Sequence, residues 1–366
     1  MNYSAQRNIS TKSEFLSDLR WAEPQSHRRG VMWASWLSVI KNRLQFTVMI
    51  AVATAILSGC STTAATLDGS EGNKSQVDRA LFPYAPHYLQ LDNGARIHYV
   101  DEGEGPVLLL LHGNPTWSFL YRHIIARLKN DFRIIAPDYP GFGLSTAPYE
   151  YRFTASEQAA SMAEFFEKMD LHGVTMMVQD WGGPIGFAIA EKYPDRIDGF
   201  VIGNTWAWPL ERTGHKVFST LMGGWPGQFA AWCCNGVVRF FLSQGMERNL
   251  SDAELAMYLA PFAQRDARTP THVFPAQLWD ADVFLQDVYA GLPMLSEHPA
   301  LLVWGLADFA FKEPERSRFE RLFTKHKTVL LENAGHFIQE DAPEEIATAI
   351  IAWHPATNRK QAHFGE

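Results

Sequence analysis

Asp180 stands in Val178-Gln179-Asp180-Trp181-Gly182-Gly183-Pro184, between the β-rich run 173–177 and the helix-like run 185–191. An apolar strand, a sharp glycine-containing turn and a helix are the setting of a nucleophile elbow, which lifts one side chain above a parallel sheet. A serine in that position forms an ester only by attacking an acyl carbon. A carboxylate can form one by displacing a leaving group from saturated carbon. Breaking the ester again needs a base held by an acid. His336, in Asn333-Ala334-Gly335-His336-Phe337, is the base candidate. Asp308, in Trp304-Gly305-Leu306-Ala307-Asp308, is the acid candidate. Each follows a predicted strand, and the chain order nucleophile, acid, base is that of an elbow-type triad. Taken singly, His336 reads equally as a structural loop histidine and Asp308 as a turn residue or helix cap. The catalytic reading rests on the three together.

Donors flank the nucleophile. Asn114 follows the third predicted strand, a place from which such sheets contribute an oxyanion-hole N–H, and the Trp181 backbone N–H is the other natural donor. Their side chains add an amide and an indole N–H, both neutral. Two neutral donors beside an apolar cover suit a large, weakly hydrated anion departing from carbon. Either residue alone would pass as a packing aromatic or a turn residue.

These residues require a sheet to position them. Tyr88–Leu91 and Arg96–Val100 read as a hairpin around Asn93-Gly94. Val107–Leu111 is a continuous apolar strand of the kind buried on both faces. Further strands are expected at 132–136, 173–177, 199–203, 300–304 and 328–332, with helices at 117–128, 154–169 and 343–353. The alternation predicts an α/β fold: a mostly parallel eight-stranded sheet with helices on both faces. After the sixth strand it breaks. Residues 206–291 read as a helical cap crowded with aromatics such as Trp206, Trp225, Trp232 and Trp279. The core is expected at 81–205 and 292–354, and 355–366 is a tail.

The chain of 366 residues is 46% hydrophobic and 13% aromatic, enough for a large core. Its formal charge is −8; residues 1–59 carry seven Lys/Arg against three Asp/Glu, a net +4, so the remainder carries −12. An acidic body without a basic patch argues against a nucleic-acid partner. No Cys/His cluster has metal-ligand spacing, and no metal or organic cofactor is expected.

Residues 1–59 read as a leader. Lys41 and Arg43 precede the apolar run Leu44–Ser58, which is shorter than a membrane-spanning helix and ends in Leu57-Ser58-Gly59-Cys60. That tetrapeptide resembles a bacterial lipobox, which implies lipidation of Cys60. Residues 60–80, rich in small polar residues, read as a flexible tether. The expectation is an exported lipoprotein on the periplasmic face of the outer membrane, touching membrane only through its lipid. Met32 is an alternative start within this leader; if the leader is a mis-called start altogether, the protein stays cytoplasmic.

His112-Gly113-Asn114-Pro115 together with Gln179-Asp180-Trp181-Gly182-Gly183 resembles a haloalkane dehalogenase of the α/β-hydrolase superfamily. The similarity runs over about residues 85–354 and includes Tyr258-Leu259-Ala260-Pro261-Phe262 and Phe274-Pro275. It implies an α/β-hydrolase fold with Asp180 as nucleophile, His336 as base, Asn114 and Trp181 as halide-binding pair, and Pro275 lining the halide pocket. One branch of the family places its acid after the sixth strand; here that region is Gly203-Asn204-Thr205-Trp206, without a carboxylate, so Asp308 takes the role. The partners implied are a small apolar halogenated substrate, water and halide ion. Two rivals stay open. An epoxide hydrolase would need cap hydroxyls such as Tyr258 and Tyr289, and usually has an apolar residue at Asn114 and a histidine at Gln179. A non-catalytic, surface-tethered binding protein could keep the fold without the reaction.

Overall fold

A computed structural model describes residues 77–210 and 213–354; the expected leader, most of the tether with Cys60, and the tail lie outside the described residues. Eight strands form one sheet: β1 (His87–Gln90), β2 (Arg96–Glu102), β3 (Val107–Leu111), β4 (Arg133–Pro137), β5 (Val174–Asp180), β6 (Ile197–Thr205), β7 (Ala300–Gly305) and β8 (His326–Leu331). Their spatial order is β1-β2-β4-β3-β5-β6-β7-β8. The hairpin β1–β2 joins β4 antiparallel, and every pairing from β4 to β8 is parallel. The central strands β5 and β7 are buried along their whole length, as a sheet covered on both faces demands. At the edge, β8 is only partly covered, with one of its six residues buried.

Helices α1 (Arg122–Leu128), α2 (Ala155–Lys168) and α3 (Gly182–Lys192) connect the first strands. The helix expected from residue 117 begins instead as a 3-10 turn, Ser118–Tyr121, and becomes α-helical at Arg122. The Ser118 N–H donates to the buried Asp138 carboxylate at 2.7 Å, which fixes the turn before the helix can propagate. Thr154 and Glu157 form a reciprocal capping box at the start of α2.

Between β6 and β7 lie α4 (Thr213–Gly223), α5 (Trp225–Cys234), α6 (Gly236–Gln244), α7 (Asp252–Leu259), α8 (Thr269–Asp280) and α9 (Asp282–Gly291). This is the cap. The core side is completed by α10 (Glu313–Leu322), α11 (Ile338–Asp341) and α12 (Pro343–Trp353). A buried ion network ties cap to core. Arg122 at the start of α1 pairs with Glu340 of α11 and, at 2.8 Å, with Glu254 of α7. Arg248 reaches the same two carboxylates at 2.7 and 2.6 Å, and the Tyr258 hydroxyl donates to Glu340. Burial raises the Glu254 pKa, but the Arg248 guanidinium and the hydrogen bonds from Ser251 outweigh it and hold the carboxyl down at about 2. His123 converges on these two glutamates as metal ligands would, but both carboxylates are already neutralised by arginine.

Candidate active site

Strand β5 ends on Asp180, whose φ of +51° places it in the left-handed region. Such a conformation costs a non-glycine residue of order 1–3 kcal/mol and persists only where the surroundings enforce it. Here Thr205 at the end of β6 donates its hydroxyl to the Asp180 carbonyl at 2.5 Å. Helix α3 starts two residues later, and a Cβ on Gly183 would lie 2.0 Å from that same Thr205 hydroxyl. On the other side a Cβ on Gly113 would fall 2.4 Å from Asp180 Oδ2. The elbow therefore closes only because both positions are glycine.

The loop after β3 brings Asn114 to the nucleophile. Its backbone N–H donates to Asp180 Oδ2 at 2.9 Å. His112 holds this loop: Nε2 accepts from the Tyr139 N–H at 3.1 Å, so Nδ1 carries the proton and donates to the Gly113 carbonyl at 2.9 Å. Burial depresses the His112 pKa, in keeping with a neutral ring. The Asn114 side-chain N–H makes only a long contact, 3.5 Å, to the Thr271 carbonyl of the cap. Trp181, buried, packs edge-on against Trp206 and Phe274 at centroid distances of 4.7 and 5.1 Å. Among the described residues, no acceptor is bonded to its indole N–H.

His336 and Asp308 come from the ends of β8 and β7. His336 Nδ1 donates to Asp308 Oδ2 at 3.1 Å, and Nε2 lies 3.5 Å from Asp180 Oδ1. Asp308 also accepts from the Asn204 amide at 2.8 Å and the Ala310 backbone N–H at 2.7 Å, so its charge is compensated by three donors. Burial pulls the His336 pKa down. The negative charges of Asp308 and Asp180, with the hydrogen bonds they accept, overcome this and push it up to about 10. One contact opposes that: the Gln179 amide nitrogen sits 3.1 Å from Nε2 while donating to the His336 carbonyl at 3.0 Å. An amide N–H favours a neutral Nε2, but one neutral hydrogen bond is worth about 1 kcal/mol. A carboxylate 3.5 Å away is worth several times that. With Asp180 charged, the imidazolium wins.

A cavity of about 220 Å³ opens above these groups, lined by Asp180, Asn114, Trp181 and His336 and roofed by Phe218, Phe241, Pro275 and Leu278 of the cap. The structure thus brings together the six residues singled out for the site, Asp180, His336, Asp308, Asn114, Trp181 and Pro275; Cys60, singled out for lipidation, lies outside the described residues. Tyr258 and Tyr289 do not reach it. Tyr258 is buried against Glu340, and Tyr289 is exposed beside Arg318. Two positioning residues escaped the sequence reading. Gln179 was weighed only as a difference from epoxide hydrolases, and Asn204 only as a missing carboxylate. A polar residue ending an otherwise apolar strand was the available signal for both.

The alpha/beta hydrolase fold family matches residues 106–343. Haloalkane dehalogenase 2 of Mycobacterium tuberculosis is 43% identical over 276 residues, covering 75% of this chain and 96% of that protein. The cis-3-alkyl-4-alkyloxetan-2-one decarboxylase of Shewanella oneidensis is 31% identical over 296 residues, covering 74% and 88%. Among solved structures, the haloalkane dehalogenase DbeA of Bradyrhizobium elkani superposes with a TM-score of 0.69 at 26% identity, over 76% of this chain and 99% of its own. On its sequence and its sheet, the chain belongs to the haloalkane dehalogenase family of the alpha/beta hydrolase fold.

Proposed function

We propose that the protein hydrolyses carbon–halogen bonds of short apolar haloalkanes through an alkyl ester on Asp180. The carrying observation is a pair of neutral donors, Asn114 Nδ2, held only by the 3.5 Å contact to Thr271, and Trp181 Nε1, beside a carboxylate whose far oxygen is already fixed. Asn114 N–H holds Oδ2, which leaves Oδ1 to attack carbon. The carbon–halogen bond breaks as the Oδ1–carbon bond forms, and the halide leaves towards the two donors. Oδ2 becomes the ester carbonyl oxygen, and the N–H that held it becomes an oxyanion-hole donor together with the Trp181 N–H.

Esterification also cancels the Asp180 charge. His336 loses one of the two carboxylates that keep it protonated, releases a proton and becomes the base. Held by Asp308, it takes a proton from water, which attacks Cγ of the ester. The alcohol departs with the former Oδ1, and the water oxygen stays on Asp180. Products are an alcohol, a halide ion and a proton. The aromatic roof excludes bulk water and receives the alkyl chain.

A second reading comes from the decarboxylase relative. Its named substrate is a ring carrying two alkyl groups, for which a cavity of about 220 Å³ is small. Among the described side chains, no cap hydroxyl lines the cavity for the epoxide reading. Purified protein given 1-bromobutane should release bromide and acid. Carbon dioxide from a cis-3,4-dialkyl-oxetan-2-one, diol from styrene oxide, or no turnover at all would each assign it to a rival.

For location, we propose export as a lipoprotein modified at Cys60, supported by Leu57-Ser58-Gly59-Cys60 after the apolar run. Processing that globomycin blocks is the expected result; an unprocessed cytoplasmic chain contradicts it.

A further inference from the structure

Helix α5 is built inside out. It buries Gly227, Ala230 and Ala231 and exposes Trp225, Phe229 and Trp232 at 76, 43 and 50%. The three aromatics are spaced i, i+4, i+7 and so share one face. They form a continuous stripe, with centroids 5.8 Å apart for Trp225–Phe229 and 6.5 Å for Phe229–Trp232. Nothing in the catalytic reading uses them, since the cavity is lined from α4, α6 and α8.

The stripe ends among cations, in a body that is otherwise acidic. Arg265 lies over the Trp232 ring at 4.2 Å, and Arg268 donates to the Trp232 carbonyl at 2.7 Å. Arg239 sits one turn along α6 from Asn235, whose amide donates to the same Phe262 carbonyl that Arg268 binds, so Arg239, Arg265 and Arg268 share this end of the stripe. Asp266 is the one carboxylate within the segment 265–268. Exposed tryptophan beside arginine is the chemistry of the boundary between lipid headgroups and acyl chains, with an anionic surface as electrostatic complement.

A second copy of the chain fits less well. Trp and Phe side chains offer 150–250 Å² each, so the exposed part of the stripe amounts to roughly 300–400 Å². A stable protein interface needs about 800 Å² per partner. The point where the described chain begins agrees with a bilayer. The Asp78 N–H donates to Met257 Sδ of α7 at 3.2 Å, and α7 is followed directly by the 3-10 turn Ala260–Phe262, whose Phe262 carbonyl Arg268 binds at 2.8 Å. Whatever precedes residue 77 thus joins the domain at the cap, on the helix that leads into the arginine cluster. Residues 60–76 fully extended would span about 55 Å, ample for the domain to reach a surface it is tethered to.

We infer that the Trp225–Phe229–Trp232 face of α5, with Arg239 and Arg265, docks the cap onto an anionic phospholipid bilayer. Apolar substrates concentrate in lipid, so this contact would place the cap where they accumulate. The surface acts independently of Cys60.

Residues 77–366 suit the test. The described residues close one sheet over a continuous core, and the mycobacterial relative aligns over 96% of its length with three quarters of this chain. This fragment should co-sediment with sucrose-loaded vesicles of phosphatidylglycerol and phosphatidylcholine, with a blue shift of tryptophan emission. Trp225→Ser/Phe229→Ser/Trp232→Ser should lower the partition coefficient at least tenfold while leaving 1-bromobutane turnover unchanged. Arg239→Glu/Arg265→Glu should abolish the preference for phosphatidylglycerol. Failure to bind vesicles, or equal binding by the serine variant, overturns the inference. So does a parent dimer that the serine variant converts to monomer in analytical ultracentrifugation, which would assign the stripe to a second copy.

Discussion

Replacing Asp180 by Asn mimics the charge change that the proposed ester would make, and its effect on His336 follows from their separation. Asp180 Oδ1 lies 3.5 Å from His336 Nε2. At an effective dielectric of about 20, two unit charges at that distance interact by about 5 kcal/mol. Each pKa unit is about 1.4 kcal/mol, so Asp180→Asn should lower the His336 pKa by about three units. Starting from about 10, the ring comes to titrate near neutrality, where a general base works best. The assay is an NMR titration of the His336 imidazole nitrogens in parent and variant. The sign also fixes stability. With a folded pKa above its unfolded value, His336 contributes stability that is fully present below about 6.5. That stability is lost as pH rises towards 10. Asp180→Asn should confine the loss to a narrower window around neutrality. A downward shift of less than one unit would refute the claim that Asp180 holds the imidazolium and that esterification releases the base.

Asn114→Ala or Trp181→Phe should each lower kcat for bromobutane by 10²–10³ while stability changes little, since each removes one donor to a developing anion; kinetics and thermal melts check this. Removing the Asn204 donor with Asn204→Leu leaves the Asp308 charge less compensated, so it should lower the acidity of the His336 imidazolium and cost about 1–3 kcal/mol of stability, because a buried acceptor on Asp308 is left short; the pH–rate profile and denaturant melts report both. Glu340→Ala strands Arg122 and Arg248 and should destabilise by about 3–5 kcal/mol, read by urea unfolding. Glu191, half-buried against α9, is pushed up to about 7 by burial and Asp287, and its Oε1 has no partner. Its raised pKa subtracts stability as pH rises from about 4.5 to 7. Glu191→Gln should therefore stabilise by about 1 kcal/mol at pH 8, allowing for solvent screening, and leave stability unchanged at pH 4. In a single turnover in H₂¹⁸O, the alcohol should carry ¹⁶O from Asp180, with ¹⁸O retained in the protein.

The sheet was legible because its strands are buried on both faces, so Val107–Leu111 and Val174–Val178 read as apolar runs that no other element explains. The elbow was legible because Gly182 and Gly183 follow a strand where a polar residue ends it. The end of the 3-10 turn at Tyr121 was not, since it depends on Asp138, a contact between segments distant in sequence. Helix α10 went unread because Glu313–Leu322 is mostly charged and Phe319 is its one buried apolar anchor. Asn204 was passed over as the absence of a carboxylate, although its amide donates to one. In the cap, composition revealed aromatics but not their direction. Phe218 and Phe241 turn to the cavity, whereas Trp225, Trp232 and Trp279 turn outward.

The central claim is covalent chemistry at Asp180, and one experiment addresses it directly. His336→Phe removes the base but spares the nucleophile and both halide donors. Mixed with 1-bromobutane, it should release about one bromide per chain and stop. Peptide mass spectrometry should then find a butyl group on the peptide containing Asp180. An adduct on any other residue, or bromide release that continues with no adduct, would contradict the account.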